Sequence, residues 1–131
     1  MGALILTLDQ LQSRLSHHAR LIGIDLGTKT IGLALCDVER RIATPLETIK
    51  RVKFTQDAQR LIDLAHKHGV EAFVVGLPLN MDGSEGPRVQ STKAFLNNLA
   101  KLTAHIDSRI RAAGEDRFWS AIIACTIYGG M

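Results

Sequence analysis

Leu21-Ile-Gly-Ile-Asp-Leu-Gly-Thr-Lys-Thr-Ile-Gly-Leu-Ala-Leu-Cys36 is the stretch on which the fold turns. It holds two short apolar runs, Leu21 to Asp25 and Thr30 to Cys36, around the turn residues Gly27-Thr28-Lys29. Two such runs joined by a glycine turn predict a β-hairpin. The first run ends in a carboxylate, Asp25, directly before the turn. A carboxylate is costly to bury unpaired, so Asp25 is expected to project from the sheet edge.

Downstream, Asp37 to Arg41 is polar and turn-like, and Ile42 to Ile49 reads as a third strand. Phe54 to Lys67 reads as a helix, because Ala58, Leu61, Ile62 and Ala65 draw one apolar stripe. Gly69 is its stop signal. Ala72 to Val75 is apolar without alternation, as befits a strand covered on both faces. A loop from Leu77 to Gly86 follows. Pro87 then opens a second helix to about Lys101, with Val89, Phe95, Leu96 and Leu99 inward. Upstream, leucines at 8, 11 and 15 have helical spacing, with Thr7 as a cap. His17 and His18 read as a solvated link.

The order is three antiparallel strands, a helix, a strand and a helix. A right-handed crossover sets the fourth strand beside the first, parallel to it and away from the hairpin. The carboxyl ends of those two strands then share one edge, where open α/β sheets bind ligands.

That edge collects the candidate chemistry. Asp25 is either a ligand for Mg²⁺, which takes oxygen donors, or a turn cap on the amides of Gly27 or Thr28. Asn80, Asp82 and Glu85 come from the loop after the fourth strand, and Gly83 and Gly86 let a ligand approach its backbone. Acids near a helix start are also common helix stabilisers. Arg88 stands in a first helical turn, where a cation opposes the helix dipole. It is either a phosphate contact or a surface side chain. Lys29 in the turn holds a substrate phosphate or merely solvates the turn. His66 and His68 suit the end of the first helix and carry no chemistry.

The chain has 131 residues, 46% of them hydrophobic and 22% charged, which suits one globular domain. A formal charge of +3 is compatible with a nucleic-acid partner without requiring one. The two cysteines, Cys36 and Cys125, form no C-x-x-C pair, which argues against zinc and for reduced thiols in the cytoplasm. No signal peptide or membrane span is read in the chain.

The segment Ile22-Gly-Ile-Asp-Leu-Gly-Thr-Lys-Thr-Ile-Gly-Leu-Ala34 resembles the first strand-turn-strand of the YqgF/RuvX family of pre-16S rRNA nucleases. Val75-Gly-Leu-Pro-Leu-Asn-Met-Asp-Gly-Ser-Glu-Gly-Pro-Arg88 resembles its second signature, and Ala43-Thr-Pro-Leu-Glu-Thr-Ile49 its third strand. The likeness spans residues 20 to 101. It implies an α/β, RNase H-like mixed sheet with flanking helices, and nuclease chemistry with Mg²⁺ or Mn²⁺ on nucleic acid. The implied partners are pre-rRNA and ribosomal assembly particles. Asp25 matches the family's first-strand metal-binding aspartate. Asn80, Asp82, Gly83, Glu85, Gly86 and Arg88 match its loop.

With the leucine spacing upstream, the chain divides into three expected parts: an N-terminal helical extension (1–19), the RNase H-like core that the resemblance implies (20–101) and an atypical tail (102–131). The family continues with a strand ending in Asp-Glu-Arg-x-Ser/Thr-Thr and a helix carrying Asp-x-x-Ala-Ala, which supply further carboxylates. Neither stands here. Asp107 and Glu115-Asp116-Arg117 do not map onto them. Weak or absent catalysis is therefore expected, since one carboxylate holds Mg²⁺ poorly. Ala121 to Tyr128 is β-branched enough to complete the sheet as a strand, or else belongs to a poorly packed end. The competing functions are an inactive nucleic-acid-binding or ribosome-assembly module, a Holliday-junction-resolvase-like DNA nuclease, and an ATP-binding actin/Hsp70-like fragment, which Ile24-Asp-Leu-Gly-Thr28 resembles.

Overall fold

The computed structural model describes residues 4–7, 10, 19–37, 39, 41–79, 86–112 and 122–129. Its described elements are β1 (Leu4–Thr7), β2 (Arg20–Leu26), β3 (Thr30–Cys36), β4 (Ala43–Lys50), α1 (Phe54–His68), β5 (Val70–Leu79), α2 (Pro87–Ala112) and β6 (Ile122–Gly129). The strands form one sheet in the order β1-β6-β5-β2-β3-β4. The pairs β2–β3 and β3–β4 are antiparallel, and β2–β5, β5–β6 and β1–β6 are parallel. This is the expected mixed sheet, with the fourth strand of the core beside its first.

The hairpin forms because its turn is tight. The Gly27 amide donates to the Thr30 carbonyl at 2.9 Å, leaving Thr28 and Lys29 as the loop. A Cβ on Gly27 would lie 3.0 Å from that carbonyl oxygen, so the closure requires glycine. Asp37 closes the next turn: its carboxylate accepts from the amides of Arg41 and Ile42 at 2.8 and 3.2 Å. Ile42 therefore lies in the turn, 65% exposed, and β4 begins one residue later than its apolar pattern suggests.

Alternation along β2 and β3 sends Ile22, Ile24, Leu26, Ile31, Leu33 and Leu35 to one face. Both helices cover that face. From α1 come Ala58, Leu61 and Ala65, and from α2 come Phe95, Leu96 and Leu99, all in the core with Phe73 and Val75 of β5. The stripes read from spacing are the buried ones. Gly69 ends α1 with φ 64°, and its amide donates to the carbonyls of Ala65 and His66.

Three of these elements differ from the expectations. β5 runs from Val70 to Leu79, because it pairs with β6 beyond the end of β2. α2 continues to Ala112. Leu4–Thr7 forms a strand on β6, where no strand was expected. Of the two readings of the late apolar run, the strand is the one found: it is β6, inserted between β1 and β5. The expected helix at 8–15, apart from residue 10, and His17 and His18 lie outside the described residues. Cys36 is half-buried, and its sulfur accepts from the Leu21 amide at 2.9 Å. No described helix is long and apolar enough to cross a membrane.

Phe73 is fully buried at the centre of the sheet. Phe73→Ala should lower unfolding free energy by about 3–5 kcal/mol, read as a reduced midpoint in a urea titration. A shift under about 1 kcal/mol would show that the core collapses around the site.

Candidate functional site

Asp25 is the last but one residue of β2, and it is exposed. It pairs with Gly32 of β3, which in turn pairs with Thr48 of β4. Because side chains alternate, Asp25 stands on the face opposite the helices, in line with Gly23. Gly32 leaves space beside it: a Cβ there would sit 3.8 Å from the Asp25 Cβ. A groove of about 680 Å³ runs over this face, lined among others by Gly23, Asp25, Gly32, Thr48, Val74 and Gly76.

The turn-capping role for Asp25 is not observed. The Gly27 amide is taken by Thr30, and no described residue hydrogen-bonds the Asp25 carboxylate. A strand-end acid facing a groove, with no partner among the described residues, is available to a ligand.

Glu47 also borders this groove, yet it is engaged elsewhere. It accepts both prongs of Arg60 on α1, at 2.8 and 2.6 Å. That hydrogen-bonded guanidinium, helped by its charge, holds the Glu47 carboxyl below its ordinary value of 4.5. A kink in register between Leu33 and Ala34 leaves Glu47 opposite the buried Leu33. Sequence reasoning passed over Glu47 and Arg60, since a pairing across 13 residues has no local signal.

A second groove, of about 580 Å³, lies on the helix side of the same edge. Its lining includes Gly27 and Thr28 of the turn, Arg51 and Lys53 before α1, and Pro87 and Arg88 of α2. Arg51 secures it. Its guanidinium donates to the Gly27 carbonyl at 2.6 Å and lies 5.7 Å from the centre of the Phe95 ring, while its amide donates to the Lys29 carbonyl. One side chain thus fixes the turn after Asp25 to the end of β4 and the flank of α2. The sequence reading passed over Arg51 as well.

The candidate residues therefore separate. Asp25 lines the first groove and Arg88 the second. Gly86 starts α2, its carbonyl accepting from the Val89 and Gln90 amides. Lys29 is exposed in the turn. Asn80, Asp82, Gly83 and Glu85 lie outside the described residues, in the segment joining β5 to α2. Among the described residues no three His, Cys, Asp or Glu side chains converge. A divalent cation wants several oxygen donors, so the described residues alone do not fit one.

The sequence profile of the RuvX family, described as Holliday junction resolvase, matches residues 19–122. A protein of Methylocella silvestris named "Putative pre-16S rRNA nuclease" is 58% identical over 121 residues, covering 89% of this chain and 75% of that protein. A protein of the same name from Beijerinckia indica is 59% identical, covering 89% and 73%. Among solved structures, T. thermophilus RuvC in complex with Holliday junction substrate is similar at 18% identity and a TM-score of 0.49, over 87% of this chain and 66% of that one.

Two outcomes are expected of the site's framework. Arg51→Ala should destabilise the chain by about 1 kcal/mol, from the lost hydrogen bond to Gly27, visible in thermal melting. Glu47 has a depressed carboxyl, so its pairing stabilises the fold above 4.5 and loses that effect as pH falls through the folded value. Glu47→Gln should melt slightly below wild type at neutral pH, and the gap should close in acid. A gap that persists in acid would show that charge is not its source.

Proposed function

The chain belongs to the RuvX family, and from that premise we propose that it is a nuclease acting on the 5′ end of pre-16S rRNA. The observation that carries the reading is Asp25: an exposed strand-end carboxylate over an open groove, with no described hydrogen-bond partner. Curated relatives more than half identical to this chain bear the pre-16S rRNA nuclease name. The proposed substrate is therefore RNA, and the cleaved bond a phosphodiester.

Asp25 is proposed to hold a divalent cation, Mg²⁺ or Mn²⁺, with Asp82 and Glu85 as further oxygen donors. Such an ion would supply an activated water and charge neutralisation at phosphate. The chain's own contribution is positional. The tight Gly27–Thr30 turn and the Arg51 clamp hold Asp25 at a fixed point on the sheet edge. Gly32 keeps the strand beside it bare, so a bulky polyanion can approach. Lys29, Asn80, Gly83, Gly86 and Arg88 are proposed to contact substrate. The proposal includes a cytoplasmic setting and ribosomal assembly particles as partners.

A second reading, a binding module with little catalysis, is favoured by the absence of converging metal ligands among the described residues. One experiment separates the two. The chain is incubated with Mg²⁺ or Mn²⁺ and an RNA carrying the 5′ precursor of 16S rRNA. The nuclease reading expects slow, metal-dependent cleavage, and Asp25→Asn should reduce it by roughly 10²-fold or more. Binding without any cleavage would install the second reading. A DNA four-way junction cut in preference to RNA would move the substrate to DNA.

A further inference from the structure

The helix-side groove has a composition that Asp25 chemistry does not account for. Its lining brings together three cationic side chains, Arg51, Lys53 and Arg88, with the hydroxyl residues Thr28 and Ser91, while the buried Thr92 hydroxyl donates to the Arg88 carbonyl at 2.8 Å. Its one acid, Asp57, is buried, and its carboxylate accepts from the Val52 amide at 3.3 Å. The accessible walls are therefore positive.

Two of these cations stand where helix stability would not put them. Lys53 is the N-cap of α1 and makes no side-chain capping bond. Arg88 is exposed in the first turn of α2, which holds no acid. A cation at a helix N-terminus opposes the dipole, so both positions cost stability. Neither has a described partner. Arg51, by contrast, is pinned through Gly27 and Phe95, so the groove has a fixed wall and two free cations.

We propose that this groove seats a backbone phosphate of the RNA strand, one or more nucleotides from the bond presented to Asp25. The inference rests on the RNA-nuclease reading above and adds a contact on the other side of the same turn. Leu26 lines this groove and its chain neighbour Asp25 the other, so one strand end separates the two. An RNA crossing the edge at the Gly27–Thr30 turn would place one phosphate in each. A phosphodiester matches the groove's chemistry, since guanidinium and ammonium groups contact phosphate oxygens without reading sequence.

The test is fluorescence anisotropy of the full chain with a labelled single-stranded RNA in EDTA, between roughly 50 and 200 mM KCl. Without divalent ions the result is independent of cleavage. Lys53→Gln with Arg88→Gln should weaken binding roughly ten-fold at low salt and flatten the salt slope by about 0.7, the value for one neutralised phosphate on a single strand. Lys53→Arg with Arg88→Lys keeps both charges and should keep the wild-type slope. Lys101→Gln, far along α2, should change neither quantity.

Wild-type affinity and slope in the double glutamine variant would overturn the proposal, even if the chain cleaves RNA. A reduced slope in a chain that fails to cleave would uphold the groove while the nuclease reading falls. ATP displacing the RNA where KCl of equal ionic strength does not would reassign the groove to a free nucleotide and overturn the backbone assignment. No RNA binding by wild type would remove both readings together.

Discussion

Where β5 passes beside β2, Phe73 and Val75 meet Ile22 and Ile24, and none of the four side chains is more than 4% exposed. Their parallel register is the constraint from which the rest follows. It closes one face of the sheet against both helices. It also points the carboxyl ends of β2 and β5 the same way. Asp25 and the segment leading to Pro87 therefore leave the sheet at one edge. An antiparallel pairing would have sent them to opposite ends.

That edge is divided by the sheet itself. Asp25 is exposed on the face away from the helices, while Leu26, one residue on, is buried among them. Alternation thus splits one short strand end between two chemical environments. On the open face stand the carboxylate and a row of small residues. On the helix face stand a clamped turn and a positive groove. A polyanion lying over the edge would meet an acid-bearing surface and a basic one within a single turn of chain.

The fold spends stability at this edge and recovers it elsewhere. Cations at two helix starts oppose the dipoles, and Asp25 has no described internal partner. The compensating order comes from Arg51, from the Asp37 turn, from the Glu47–Arg60 pair and from the αL stop at Gly69. Gly27, where an added Cβ would crowd the Thr30 carbonyl, also falls here. Such local costs, with rigid support around them, characterise a surface kept for recognition rather than for stability alone.

Local pattern carried much of this. The hairpin around Gly27, the stripes of Ala58, Leu61, Ile62 and Ala65, the Gly69 stop and the inward Val89, Phe95, Leu96 and Leu99 all follow from periodicities of 2 or 3.6 and from turn chemistry acting within a few residues. The strand order around β2 and β5 follows from crossover handedness. What no local pattern reaches is pairing between distant segments. Leu4–Thr7 becomes a strand only because β6 lies beside it, and β5 extends to Leu79 for the same reason. Arg51 over Phe95, Arg60 on Glu47, and the division of Asp25 and Arg88 between two grooves depend on register and packing. Sequence alone picked out Asp25, Lys29 and Arg88 as charges for the edge and passed over Arg51 and Lys53. The tertiary structure decided which of them share a groove, because proximity across a sheet is a property of strand pairing and not of spacing along the chain.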